Sequence, residues 1–161
     1  MSEVRFEGVE PLPIRKRGVV AVIVRGERFL VIRRSQHVRA PGMYCFPGGG
    51  IEPGETEERA LARELLEELS VAARPIRRLT ESVTPWQVHL AWWLAEIDAG
   101  AELVAQPHEV ESFHWLTAAE IRRLPNLLAS NVEFLEAWEG LTEEERESGR
   151  GGEGERGRLK L

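Results

Sequence analysis

Three glutamates lie close together in a helix-forming segment of the chain. Glu64, Glu67 and Glu68 belong to the stretch 56–69, which is rich in alanine and leucine. At about 100° per residue, they fall within one arc of roughly 100° on the helix surface. Glutamates four residues apart repel each other, and a hard divalent cation removes that repulsion. The spacing is compatible with a metal site, but for a glutamate-rich helix taken alone a solvated acidic face is the favoured interpretation.

The segment before this helix is rich in glycine. Residues 46–50 read Phe-Pro-Gly-Gly-Gly, and Gly54 and Glu55 then lead into the helix. Glycine lets the backbone come close to a ligand because no side chain intervenes. The loop lacks the Gly-Lys-Ser/Thr ending of a P-loop. A merely solvated helix needs no such approach, so the loop favours a ligand site.

Loop and helix together resemble the signature of the Nudix hydrolases. That signature is Gly, five residues, Glu, seven residues, Arg-Glu, an aliphatic, any residue, Glu-Glu, any residue, Gly and an aliphatic. Eight of its nine fixed positions match in register: Gly49, Glu55, Arg63, Glu64, Leu65, Glu67, Glu68 and Val71. Ser70 stands where the signature has glycine, usually a left-handed residue after the helix. A non-glycine residue there costs roughly 1 kcal/mol, so we expect a slightly different helix exit.

The resemblance covers roughly residues 18–138 and implies a role for each matching residue. Arg63 would pair bidentately with Glu55 and hold the loop against the helix. The alternative for Arg63 is an exposed pair with the glutamate four residues later. Mg²⁺ or Mn²⁺ would be held by three helix carboxylates and one backbone carbonyl: Glu64, Glu67, Glu68 and Gly48.

Hydrolysis of a pyrophosphate bond also needs a group that takes a proton from the attacking water. Metal ions neutralise the pyrophosphate oxygens and lower the pKa of the water. Glu109 is the leading candidate for the base, because it precedes the strand ending near Trp115, a region that supplies such a glutamate in several family members. Glu64 and Glu111 are the alternatives, and Glu109 as an ordinary loop acid is another.

Substrate-contacting residues are predicted from their position in the chain. Asn131 resembles an asparagine that reads the purine in MutT-type members, since an amide can pair with a base edge. The alternative is a solvent-facing residue in the first turn of the last helix. Arg33 and Gly49 are the other candidates.

The resemblance implies an enzyme that hydrolyses a nucleoside diphosphate linked to another moiety. Cleavage of a (d)NTP to NMP and pyrophosphate is the first expectation. Cleavage of ADP-ribose, a nucleotide sugar or a dinucleoside polyphosphate is the alternative. A nucleotide-sensing module without catalysis is a third, but such modules commonly lack one or more of the helix acids that this chain retains.

Composition suits one globular domain. The chain has 161 residues and a net charge of −6, so no stable nucleic-acid partner is expected. Cys45 is the single cysteine, which excludes an internal disulfide. We find no signal peptide and no apolar run of membrane-spanning length, so we expect a cytoplasmic monomer or homodimer that acts on a small nucleotide.

The expected fold is an α/β/α sandwich with a mixed β-sheet. We assign residues 1–17 to an extended lead-in, 18–141 to the Nudix domain and 142–161 to a disordered charged tail. Two capping boxes, at Thr117–Glu120 and Ser130–Glu133, predict helix starts. Strands are predicted at 19–24, 29–32, 76–83, 87–97 and 112–116, with a further short one possible at 44–46, and helices at 56–69, from 117 to before Pro125, and 130–138.

Overall fold

The computed structural model describes residues 16–141 and 143–147. Most of the predicted lead-in and most of the predicted tail therefore lie outside the described residues. Lys16 and Arg17 begin the first strand, and Glu143–Glu147 form a short helix. The strands are β1 (Lys16–Val22), β2 (Val24–Arg25), β3 (Arg28–Arg34), β4 (Tyr44–Cys45), β5 (Gly48–Gly50), β6 (Arg74–Val83), β7 (Val88–Glu96) and β8 (Val110–Thr117); the helices are α1 (Glu57–Leu69), α2 (Ala118–Arg122), α3 (Ala129–Glu139) and α4 (Glu143–Glu147).

Within the described residues, the strands form two four-stranded sheets. The first has the order β5-β1-β7-β6; β1 and β7 are parallel and the other neighbours antiparallel, so this sheet is mixed, as predicted. In the second sheet, β3 pairs antiparallel with β2, β4 and β8. The predicted β6, β7 and β8 are confirmed, with ends within about two residues of those expected.

Alternating residues of β1 and β3 face two different cores, because successive side chains of a strand point to opposite faces. Val19 and Ala21 share a buried cluster with Leu61 and Leu65 of α1. Val20, on the opposite face, belongs to the cluster that contains side chains of α3. Helix α1 thus covers one side of the sheets, and α3 with Ile121 of α2 covers the other, which confirms the α/β/α sandwich.

The cluster under α3 is strongly aromatic. Trp92 and Phe134 stack with ring centroids 4.6 Å apart and an interplanar angle of 1°. Phe46 meets Phe134 edge-on at 5.5 Å, and Phe29 meets Trp138 edge-on at 5.6 Å. These offset and T-shaped contacts are the favourable arrangements for aromatic rings.

Helix α1 begins and ends at the residues that the sequence predicts, but the expected change at its C-terminal end is absent. The Thr56 hydroxyl accepts a hydrogen bond from the Arg59 amide at 3.2 Å, and so caps the N-terminus. At the other end, Ser70 takes the left-handed conformation, with φ 52° and ψ 35°. The expectation of a different helix exit was therefore wrong. Serine keeps the backbone geometry expected of glycine, and its amide donates to the Leu66 carbonyl at 3.0 Å.

Two other local predictions need correction. Helix α3 begins at Ala129, and its N-cap residue, Leu128, makes no side-chain hydrogen bond, so the predicted capping box at Ser130–Glu133 is absent. The reason is that Ser130 already lies inside the first turn. The glycine-rich segment forms strand β5, which the sequence analysis assigned to loop. The capping box at Thr117–Glu120 is confirmed at the start of α2.

In the part of the chain that the structure describes, the helices are too short or too polar to span a membrane.

Candidate metal-binding and catalytic site

Strand β5 brings glycine backbone directly against the acidic side of α1. The Gly48 amide donates to Oε1 of Glu68 at 2.8 Å. A Cβ on Gly49 would lie 2.4 Å from the Cδ of Glu64, and a Cβ on Gly48 would lie 2.1 Å from the Val19 carbonyl oxygen. Gly48 also has a φ of +153°, which favours glycine. Glycine is thus required at Gly48, and a side chain at Gly49 would displace the Glu64 carboxylate, whereas Gly50 lies in open space.

Arg63 holds the loop before the helix, as the resemblance implied. Its Nε donates to Oε2 of Glu55 and its Nη2 to Oε1 of Glu55, both at 2.8 Å, which is the bidentate arrangement. Nη2 also donates to the Gly50 carbonyl at 2.8 Å. The hydrogen bonds from Arg63 lower the pKa of Glu55 to about 2. One guanidinium therefore joins β5, the loop and α1.

The same guanidinium also contacts two of the predicted metal ligands. Its Nη1 lies 3.0 Å from Oε1 of Glu64 and 3.3 Å from Oε2 of Glu67. The exposed pair with Glu67, which the sequence analysis treated as an alternative, is therefore present beside the pair with Glu55. Glu67 is half exposed, whereas Glu64 is largely covered by β5 and Arg63.

The innermost acid of the site is Glu68, whose residue surface is only 4% exposed. Burial raises its pKa well above the usual value, and the charge of Glu64 raises it further. The hydrogen bond from the Gly48 amide opposes this shift. Burial also raises the pKa of Glu64, against the opposing effect of Arg63. Helix α1 thus buries carboxylates whose charges are incompletely compensated.

Glu109 is connected to these acids through Gln106, whose amide donates to the Glu68 carbonyl at 2.9 Å. The negative charge of Glu109 contributes to the raised pKa of Glu64 and of Glu68. Its amide donates to the Gln106 carbonyl at 2.9 Å, and its carbonyl accepts from the Ser35 amide at 3.1 Å. The alternative base, Glu111, instead pairs with Arg33 at 3.3 Å. Of the two loop candidates, Glu109 is the one that the structure links to the end of α1.

Arg33 is not brought to these acids, because it points to the other face of β3. Val31, two residues earlier on the same face of the strand, belongs to the core under α3. The Nε of Arg33 donates to the Gly42 carbonyl at 3.2 Å. Arg34 is on the α1 face, where its charge lowers the pKa of Glu68. The sequence analysis missed Arg34, although the alternation of side chains along β3 carries the signal.

Asn131 is buried, with 3% of its surface exposed. Its Oδ1 accepts from the Phe46 amide at 2.9 Å, and its Nδ2 donates to the Ser130 hydroxyl at 3.2 Å. It is therefore not the solvent-facing residue of the alternative interpretation. Its side-chain amide ties α3 to the segment between β4 and β5, where contact with a nucleobase would require these bonds to break.

The donor set fits a hard divalent cation by its chemistry. Carboxylate oxygens and backbone carbonyl oxygens are the ligands that such ions prefer. In residues 16–141 and 143–147, no salt bridge joins Glu68 to a basic side chain. In the same residues, no three His, Cys, Asp or Glu side chains are assembled to hold a metal as they stand. Arg63 contacts Glu64 and Glu67, so ligation requires these side chains to rearrange.

A cavity of about 660 Å³ lies elsewhere in the molecule. Its walls include Phe29, Leu94 and Trp138, which belong to the core on the α3 side. None of the predicted site residues lines it. The acidic site and this cavity are separate features.

Comparison with known proteins identifies the family. The model described as NUDIX domain matches residues 14–138. The NAD-capped RNA hydrolase NudC of Stutzerimonas stutzeri (strain A1501) is 31% identical over 118 residues, which cover 73% of this chain and 42% of that protein. The NudC of Deinococcus radiodurans is 29% identical over 133 residues, covering 80% of this chain and 47% of that protein. The chain spans just under half the length of the curated relatives it matches.

Solved structures show the same fold. The MutT protein of Methanosarcina mazei Go1 superposes with a TM-score of 0.66 at 23% identity, covering 77% of this chain and 92% of that one. At this identity the likeness concerns the fold alone. The family match spans most of the chain and includes the glycine-rich strand and the acids of α1. The chain therefore belongs to the Nudix family.

Proposed function

We propose that this protein uses Mg²⁺ to hydrolyse the pyrophosphate bond of a dinucleotide of the NAD type. The observation that carries the reaction is the buried Glu68, which accepts from the Gly48 amide at 2.8 Å beside a second partly buried carboxylate, Glu64. Burying two neighbouring acids destabilises a fold unless a cation is bound there. This arrangement supports a metal-dependent hydrolase over a solvated acidic helix.

The proposed ligands are those that the resemblance implied, namely Glu64, Glu67, Glu68 and the carbonyl of Gly48. When bound, Mg²⁺ or Mn²⁺ neutralises pyrophosphate oxygens and lowers the pKa of a coordinated water. Every donor is a hard oxygen, which suits Mg²⁺ and Mn²⁺ alike.

The remaining roles belong to side chains and backbone of this chain. Glu109 accepts the proton of the attacking water in this proposal. It is the loop carboxylate whose charge raises the pKa of Glu64 and of Glu68. Arg63 and Glu55 hold β5 and the helix in register through their bidentate pair. Gly49 leaves room for the Glu64 carboxylate beside β5, since it has no side chain.

The choice of substrate class differs from the first expectation. Cleavage of a (d)NTP was favoured by Asn131 as a purine-reading residue, but its side chain is committed to Phe46 and Ser130. The curated relatives cited above are NAD-capped RNA hydrolases, and this supports a dinucleotide joined through a pyrophosphate. RNA therefore belongs among the substrates to test, despite the net charge of −6.

The test is a substrate panel with Mg²⁺, read by chromatography of the products. The panel contains NAD, a short NAD-capped RNA, ADP-ribose, a diadenosine polyphosphate and the (d)NTPs with 8-oxo-dGTP. We expect NAD to yield nicotinamide mononucleotide and AMP. Glu67→Gln should abolish turnover, whereas Glu58→Gln, at an exposed acid of the same helix, should retain it. Pyrophosphate release from a (d)NTP, with NAD left intact, would contradict the proposed substrate.

A thermal unfolding experiment detects the metal site independently of turnover. A ligand that binds only the folded state stabilises it by RT ln(1 + L/Kd) at free ligand concentration L, so Tm rises with the logarithm of the ligand concentration above Kd. We expect Mg²⁺ to raise the Tm of the wild-type protein and of Glu58→Gln, but to have a much smaller effect on Glu67→Gln. A Mg²⁺-dependent rise in Tm without turnover would show an intact metal site whose substrate lies outside the panel. Neither turnover nor a rise in Tm would instead favour the nucleotide-sensing module or the solvated acidic helix.

A further inference from the structure

Ser70 departs from the family signature and makes a contact that glycine cannot make. It holds a left-handed backbone conformation with φ 52°, which is unfavourable for a residue with a Cβ. Its hydroxyl accepts a hydrogen bond from Nε2 of Gln106 at 2.6 Å. The bonded pair connects the end of α1 to residues 97–109, which we call the β7–β8 loop.

The β7–β8 loop also bonds to the last carbonyls of α1. The Val104 amide donates to the Leu69 carbonyl at 3.0 Å, and the Gln106 amide donates to the Glu68 carbonyl at 2.9 Å. The last carbonyls of a helix have no partner within the helix, so the loop satisfies groups that would otherwise need water. Gln106 therefore contacts α1 through both its backbone and its side chain.

Gln106 also determines where Glu109 lies. Its carbonyl accepts from the Glu109 amide at 2.9 Å and from the Val110 amide at 2.8 Å, which closes a tight turn around Glu109. On the other side, the Ser35 amide donates to the Glu109 carbonyl at 3.1 Å. Gln106 thus connects the end of α1 to this turn, and the Ser70 hydroxyl holds its side chain.

We propose that Ser70 and Gln106 are positioning residues that fix Glu109 opposite the carboxylates of α1. This inference rests on the proposed function, in which Glu109 takes a proton from water. A base must lie within hydrogen-bond reach of that proton, and small displacements of a catalytic group reduce the rate strongly. The strained serine is explained by this contact, because glycine would relieve the strain but lose the bond to Gln106.

The experiment compares four variants of the full chain. Ser70→Gly removes the hydroxyl and the strain together, and Gln106→Ala removes the donor. We expect each to lower kcat about tenfold, with KM little changed and Tm of Ser70→Gly equal to or above that of the wild type. The double variant should be no slower than either single one, because both remove the same bond. Glu102→Ala, at an exposed position of the same loop, is the matched control and should keep the wild-type kcat.

Ser70→Asn tests the assignment by rescue. Asparagine tolerates the left-handed conformation, and its side-chain carbonyl can accept from Gln106. We expect this variant to recover most of the kcat that Ser70→Gly loses. A loss of kcat that follows Tm across the variants would instead show that the pair only stabilises the helix end, and would overturn the proposal.

Amide hydrogen exchange provides a readout that does not depend on turnover. In Ser70→Gly, we expect faster exchange at the Gln106, Glu109 and Val110 amides, and unchanged exchange in the middle of α1. Unchanged exchange at these amides would overturn the proposal even for a protein inactive on every substrate tested. Faster exchange with an unchanged kcat would also overturn it, because Glu109 would then need no such support. An inactive wild type would refute the proposed function, and exchange would still decide whether the pair holds the loop.

Discussion

The two faces of the sheets bury very different groups. On the α3 face, Trp92 and Phe134 are 1% and 2% exposed and stack at 4.6 Å. On the α1 face, Glu68 is 4% exposed and lies against the Gly48 amide, with Glu64 beside it. The first face gains stability from its burial, whereas the second places negative charge where burial raises the pKa of each acid.

This difference indicates how the fold divides its tasks. The acids of α1 are held by the same leucines that fill the core on that side, including Leu61 and Leu65. An unfavourable cluster of charge persists only when the surrounding structure compensates for it. The aromatic core on the opposite face supplies such compensation. Four substitutions test whether the α3 face carries stability and the α1 face carries function.

The largest effect is expected from Phe134→Ala. Removing a buried phenylalanine costs about 3–5 kcal/mol of the free energy of unfolding, because a cavity replaces the ring between Trp92 and Phe46. Urea unfolding measures this loss. The turnover per folded molecule should stay near the wild-type value, since no site residue is touched. Val132→Ala, at an exposed position of the same helix, should change the stability little. A selective loss of turnover would break the division between the two faces.

Glu68→Gln should have the opposite profile. We expect kcat/KM to fall by at least about 100-fold, equivalent to about 2.7 kcal/mol, because a charged metal ligand is lost. In EDTA the urea midpoint should be equal to or above that of the wild type, since an amide of the same shape is buried at less cost than a carboxylate. A large loss of stability without metal would contradict the interpretation that Glu68 is retained for function.

Asn131→Ala tests a residue for which the sequence left two roles open, contact with a purine or exposure to solvent. The Phe46 amide would lose its partner inside the protein, which costs about 1–3 kcal/mol. Chemical unfolding measures the loss, and kinetics on purine and pyrimidine substrates measure selectivity. We expect the ratio of kcat/KM between the two classes to stay unchanged. A changed ratio would restore Asn131 as a base-reading residue.

The smallest effects concern pH. The pKa of Glu55 is lowered to about 2 by Arg63, so its ion pair contributes stability above pH about 4.5 that is lost as pH falls toward 2. Glu68 has the opposite sign. Its raised pKa gives stability that is complete below pH about 4.5 and is lost as pH rises through that raised pKa.

Urea midpoints measured in EDTA from pH 2 to 8 test both signs. Glu55→Gln should show a smaller loss of stability below pH 4.5 than the wild type. Glu68→Gln should show a smaller loss toward neutral pH. Parallel curves for wild type and variants would show that these groups do not carry the pH dependence.

Much of the site could be predicted because its residues are local in sequence. Helix α1, its Thr56 cap and the Arg63–Glu55 pair all depend on spacings of a few residues. The failures concern residues whose environment is set by distant segments. Asn131 was expected near substrate or solvent, yet a backbone amide 85 residues away binds its side chain. The Ser130 cap failed because α3 begins at Ala129.

The sequence by itself determined the family, the acidic helix and the alternation of apolar residues, because each is written in short-range spacing. Only the tertiary structure decided which face of β3 each arginine takes and that β5 pairs with β1. The structure further decided that Glu111 pairs with Arg33, whereas Glu109 is linked to the end of α1 through Gln106. It also decided that Ser70 is held by Gln106. These outcomes depend on strand register and on loops closing over long separations, where a shift of one residue reverses the face that a side chain occupies.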